Sequence, residues 1–122
     1  MFKKLSGTPL SALVLVLLSG VVALVTGKSF SAMHTLDPLV PAPGFERHML
    51  SEWFAPLRDT PGDTPVYIQR GSEPGGTVLV MGGTHPTEPA SMVTATLFLE
   101  RAKVSRGRLI VIPQANIMGF TH

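Results

Sequence analysis

His85 and Glu88 stand three positions apart in the run VLVMGGTHPTEPA, residues 78–90. An imidazole nitrogen and a carboxylate oxygen carried on one short loop can converge on a single cation, and zinc accepts both donor types at about 2.0–2.2 Å. The chain has no cysteine, so any metal must be held by His, Asp or Glu. A catalytic zinc takes three protein ligands and a water; H-x-x-E supplies two, and a third has to come from elsewhere. Taken alone, the pattern has an ordinary explanation, since a carboxylate in the first turn of a helix complements the positive helix end. The setting sets this pair apart: an apolar run and two glycines precede it, and a helical pattern follows.

Those flanking patterns define the elements that must position the pair. Thr77–Met81 reads as a continuous apolar strand of the kind buried on both faces of a sheet. Pro89 suits the first turn of a helix, where its missing N–H costs nothing. The helix is expected over Pro89–Lys103, with Met92, Ala95 and Leu99 along one side and Val93, Leu97 and Val104 along another. Arg108–Pro113 is a second apolar strand, so the unit is a βαβ crossover. His85 then falls just beyond the C-terminal end of an expected central strand, the edge where open α/β sheets bind ligands. Upstream, Val66–Arg70 alternates as a strand, and SEPGG, residues 72–76, has the composition of a tight turn.

The fold class is α/β: the start of a mixed, mostly parallel sheet flanked by helices, preceded by an N-terminal apolar helix. A parallel sheet needs several strands and helices on both faces. Three strands and one long helix fall short of that, so residues 65–122 are expected to be the N-terminal part of a larger α/β domain. A complete small domain stabilised by a partner is the alternative.

The first residues do different work. Lys3 and Lys4 precede an uncharged stretch from Leu5 to Gly27 with an apolar core over Leu10–Val25. This pattern marks residues 1–28 as a signal peptide, or as a membrane anchor, since about 20 apolar residues span a bilayer. Residues 10–26 would make the membrane contact. Either reading exports the chain, to the periplasm or the extracellular space or to a membrane surface. Residues 29–64 read as a proline-rich linker and lead-in, with a short helix inside FERHMLSEWFAPL, residues 45–57. His34 and His48 in that region read as surface residues and Trp53 as a local packing anchor. The formal net charge of +2 includes Lys3, Lys4 and Lys28, which leaves the remainder near neutral and gives no sign of a nucleic-acid partner. Arg101, Lys103, Arg106 and Arg108 gather around a helix end and a turn, where cations complement the helix dipole.

The stretches VLVMGGTHPTEPASMVTATLFL and RLIVIPQANIMGF together resemble the opening of the succinylglutamate desuccinylase/aspartoacylase family, within the zinc carboxypeptidase-like superfamily. In that family an apolar strand ends in G-G-x-H-G-x-E, a helix follows, and the next strand leads into a proline-containing segment ending in Asn. The resemblance covers about Val66–Phe120 and implies that His85 and Glu88 are the first two zinc ligands. It implies a zinc-dependent hydrolase that cleaves an amide or related acyl bond of a small N-acyl amino acid or peptide-like substrate. One position departs from the pattern: Pro86 stands where the family carries Gly. The family's third zinc ligand, its general-base glutamate and its substrate-gripping arginines all lie further downstream, so these residues alone are expected to be inactive. His122 is a poor substitute for that distant histidine because it lies close to Glu88 in the chain. Asn116 is expected to fix a loop rather than touch substrate. Two other readings compete. One is a serine esterase of the α/β-hydrolase type, which needs a G-x-S-x-G turn not found here and leaves Glu88 without a role. The other is a membrane-anchored, non-catalytic binding module.

Overall fold

A run of side chains that is apolar all round cannot hide in a small sheet domain, and it folds here as a separate helix. The computed structural model describes residues 9–33 and 36–121; Lys3, Lys4, His34 and His122 lie outside them. The chain divides into two units, one through Thr35 and one from Leu36 onward. In the first, helix α1 covers Pro9–Met33 with no buried residue. At about 1.5 Å per residue its length is sufficient to cross a bilayer core of about 30 Å. It continues through Lys28 and Ser29, past the expected boundary. Its length and composition suit a signal sequence or a membrane anchor.

The second unit is a mixed α/β structure. Strands β1 (Phe45–Met49), β2 (Pro65–Arg70), β3 (Glu73–Met81) and β4 (Arg106–Ile112) form one sheet in the order β1-β2-β4-β3. Helix α2 (Pro89–Arg101) joins β3 to β4, and a short helix α3 (Ile117–Thr121) follows β4. β3 and β4 are parallel, as the crossover pattern required, whereas β1–β2 and β2–β4 are antiparallel. The sheet is therefore mixed but not mostly parallel among the described residues.

Helix α2 presents Ala95 and Leu99, both fully buried, to one face of the sheet. There they meet Tyr67, Leu109 and Val111, with Leu39, Phe45 and Val80 at the margin. The other expected stripe, Val93 and Leu97, stays about half exposed. On the opposite face Leu50, Trp53, Val66, Ile68, Leu79, Ile110 and Ile112 border a shallow apolar groove. Trp53 thus stands as a groove wall, largely exposed, rather than as a packing anchor.

Four expectations change. The alternating strand β2 is an inner strand, flanked by β1 and β4, and buried along all but its last residue. The continuous apolar strand β3 is the outermost, with Val78, Leu79 and Met81 each more than half exposed. Most of SEPGG is strand rather than turn. Gly75 serves close backbone approach, since a Cβ there would stand 2.8 Å from the Gly107 nitrogen. Finally, the segment read as a short helix opens with β1 and continues as two single 3-10 turns, Leu50–Glu52 and Ala55–Leu57. Pairing of Phe45–Met49 with β2 outweighs the weak helical spacing there.

Candidate functional site

The loop that carries the H-x-x-E pair leaves the C-terminal end of β3 and enters α2. Both of its stems are held tightly. Gly82 continues the sheet ladder by donating its N–H to the Ile112 carbonyl at 2.9 Å. It must be glycine because a Cβ there would fall 2.2 Å from the Ser91 carbonyl oxygen in α2. Gly83 turns the chain with φ +67°, and its N–H donates to Ser91 Oγ at 3.2 Å. Two backbone bonds then tie this stem to the loop after β4: Ala115 N–H to Gly82 C=O, 2.9 Å, and Asn116 N–H to Gly83 C=O, 3.0 Å. The loop after β4 is anchored in turn by Thr64, whose buried hydroxyl donates to the Gln114 carbonyl at 2.6 Å.

Between these stems, His85, Pro86, Thr87 and Glu88 form one turn, closed by the Glu88 N–H donating to the His85 carbonyl at 3.1 Å. Pro86 occupies the second position of that turn, where its fixed φ is favoured. The proline that departs from the family pattern therefore suits the path the chain takes. It also rests close to α3, such that a Cβ on Gly119 would come within 3.0 Å of its ring. His85 and Glu88 occupy the two ends of the turn, positions whose Cα atoms lie within about 7 Å of each other in any β-turn.

Both donors are exposed at the rim. Glu88 is the N-cap residue of α2, but its side chain makes no capping hydrogen bond. The ordinary explanation, a carboxylate that complements the positive end of the helix, still applies at that position. Neither side chain makes a hydrogen bond or ion pair with another described residue. Asn116 acts on the loop, as expected of it: its side-chain amide donates to the Thr84 carbonyl at 3.3 Å, and its Oδ1 accepts from the Gly119 N–H at 3.3 Å. Ser91 and Thr64 were not singled out from the sequence. Only Ser91 left a trace there, as a hydroxyl two residues into a helix that follows two glycines.

The donor chemistry fits a borderline cation such as zinc, which takes imidazole and carboxylate. The donor number does not reach three: no cluster of three or more His, Cys, Asp or Glu side chains suited to a metal occurs among the described residues. His122 lies outside those residues.

A second titratable group sits elsewhere. His48 on β1 is flanked by Glu52, 2.7 Å from Nδ1, and by Glu46, 3.6 Å from Nε2. Its ring tilts against Trp53 at a centroid distance of 5.5 Å. The hydrogen bond to Glu52 raises its pKa above 6.5, with Glu46 adding to the effect. The Met49 N–H and His48 together hold the Glu52 carboxyl below 4.5. These three side chains make a local latch between β1 and the turn after it, on the far side of the sheet edge from the His85 loop.

The fold and site define a mixed α/β unit with a two-donor turn at the C-terminal end of a parallel strand. Comparison with protein-family models, with curated proteins and with solved structures finds no match in any of the three.

Proposed function

We propose that this chain contributes part of a zinc-dependent hydrolase of the deacylase or carboxypeptidase-like kind, acting on an amide or related acyl bond of a small N-acyl amino acid or peptide-like substrate. The observation that carries the reading is the turn His85–Glu88, which puts an imidazole and an uncapped carboxylate at the two ends of one tight, doubly anchored loop. The motif resemblance supplies the reaction class, and the loop geometry is compatible with it. His85 would offer a neutral ring nitrogen and Glu88 a carboxylate oxygen. When bound, zinc polarises a carbonyl and lowers the pKa of its water. Gly82 and Gly83, through α2 and the loop after β4, keep the two donors on a rigid rim, and Asn116 holds Thr84, the residue before His85. A third protein ligand and a general base complete such a centre, and the resemblance implies that both come from further along the chain.

The test is Zn²⁺ titration of the 122-residue chain by calorimetry, with Co²⁺ absorption as a second probe. Weak binding is expected, lost in His85→Ala and in Glu88→Ala and kept in His122→Ala. No turnover of an N-acyl amino acid is expected from these residues alone. Binding that survives His85→Ala unchanged would overturn the metal assignment.

A further inference from the structure

Charge is segregated along the sheet unit, and the segregation follows the strands. Residues 36–122 hold seven Lys or Arg and eight Asp or Glu. Five of the seven cations, Arg70, Arg101, Lys103, Arg106 and Arg108, come from the C-terminal ends of β2 and α2, the turn that follows α2, and the N-terminal end of β4. The topology brings those ends together. Arg70 pairs in register with Arg108, Glu73 with Arg106, and the Gly71 N–H donates to the Gly107 carbonyl at 2.9 Å. This is the end of the sheet opposite His85. The carboxylates near it are Glu73, paired with Arg106 at 3.2 Å, and Glu100. Asp37 lies on the segment that enters at this end, and Glu46, Glu52, Asp59, Asp63 and Glu88 belong to other parts of the unit.

The chain also enters the unit at this end. The Ala42 N–H donates to the Leu99 carbonyl in the last turn of α2 at 2.8 Å, and Gln69 bridges the Pro43 carbonyl and the Val104 N–H. Upstream of that entry the sequence leads back to α1, a helix long and apolar enough to cross a bilayer.

We infer that the cationic end of the sheet is a docking surface for a bilayer containing anionic phospholipid, and that it leaves the His85–Glu88 rim directed away from that surface. The occupant is a lipid surface rather than a soluble anion because two independent observations meet there. Cations from separate elements share one exposed end, and the polypeptide that approaches that end follows a membrane-length apolar helix. Basic side chains beside a membrane segment contribute about 1 kcal/mol each toward an anionic surface, a five-fold factor in the docking ratio, and the effect fades within a Debye length. The inference is independent of the zinc reading.

The experiment places the full chain in vesicles of phosphatidylcholine, with or without phosphatidylglycerol, and follows amide hydrogen exchange. Amides of residues 70–76 and 103–107 should exchange more slowly in the anionic vesicles at low salt, and the difference should vanish at high salt. Amides of the buried Leu99 and Val111 serve as the folding control. The variants Arg70→Glu and Lys103→Glu alter exposed side chains, and each should lower the lipid-dependent protection at least five-fold. Equal exchange in both vesicle types would overturn the inference. So would full protection in the charge-reversed variants, or the same protection from inorganic phosphate without vesicles.

Discussion

Replacing Gly82 with alanine adds one methyl group where two elements already touch through their backbones. The new Cβ would stand 2.2 Å from the Ser91 carbonyl oxygen, 2.7 Å from its carbon and 2.9 Å from the Ala95 methyl. The carbonyl belongs to α2 and cannot rotate away, so the helix itself has to retreat, by about 1 Å if ordinary van der Waals spacing is to be restored. That retreat lifts Ala95 and Leu99, both fully buried, off Tyr67 and Val111. Overpacking of this kind costs about 1–3 kcal/mol, and the rigidity of the obstacle places Gly82→Ala at the upper end. For a unit of this size each kcal/mol moves the melting temperature by about 4–8 °C, so a drop of about 10–20 °C is expected. Thermal unfolding followed through Trp53, the one tryptophan, measures it. Gly76→Ala is the matched control, because nothing lies within 4 Å of a Cβ there. Equal melting temperatures for the two variants would refute the claim that close helix–strand approach dictates glycine at position 82.

Asn116→Ala removes the bonds to the Thr84 carbonyl and the Gly119 N–H. It should cost about 0.5–1.5 kcal/mol and weaken Zn²⁺ binding further while leaving the sheet intact; unaltered His85 and Thr84 chemical shifts would argue against the clamp. Glu52→Gln should bring the His48 pKa down toward its ordinary value, read from the imidazole proton shift against pH. The sign follows from the raised pKa. The latch contributes fully below pH 6.5, where His48 is charged in both states, and its contribution is lost as pH rises through the folded pKa. Glu52 acts in the opposite sense, losing its contribution as pH falls below 4.5. The variant should therefore flatten the pH dependence of β1 amide exchange, and an unchanged profile would count against the latch.

Local chemistry made much of this structure readable from its sequence, and long-range order hid the rest. Pro89, Ala95 and Leu99 announced α2 through a first-turn proline and a helical stripe, and the crossover to β4 followed from two apolar runs of the right length. Val78–Met81 also announced a strand, but not its place in the sheet, because an apolar run records β propensity and not the number of neighbours. FERHM became a strand only through pairing with residues 65–69, a partner segment beyond the reach of local spacing. Gly75 and Gly76 looked like a turn because glycine permits one. Here Gly75 admits the Gly107 backbone, with φ +75°, against an irregular stretch of β3. At the site, residue type and spacing picked out His85 and Glu88 as candidates and the holding role of Asn116. The closing bond of the turn and the absence of a cap on Glu88 required coordinates.

β3 is the outermost strand among the described residues and the one that ends in the His85 turn. Any chain laid parallel along its bare margin would sit about 4.8 Å away, satisfy its outward amides and shade Val78 and Met81. The same placement would deliver the newcomer's own terminal loop beside the imidazole. Widening the sheet and setting a new loop beside His85 are, for this architecture, a single geometric event.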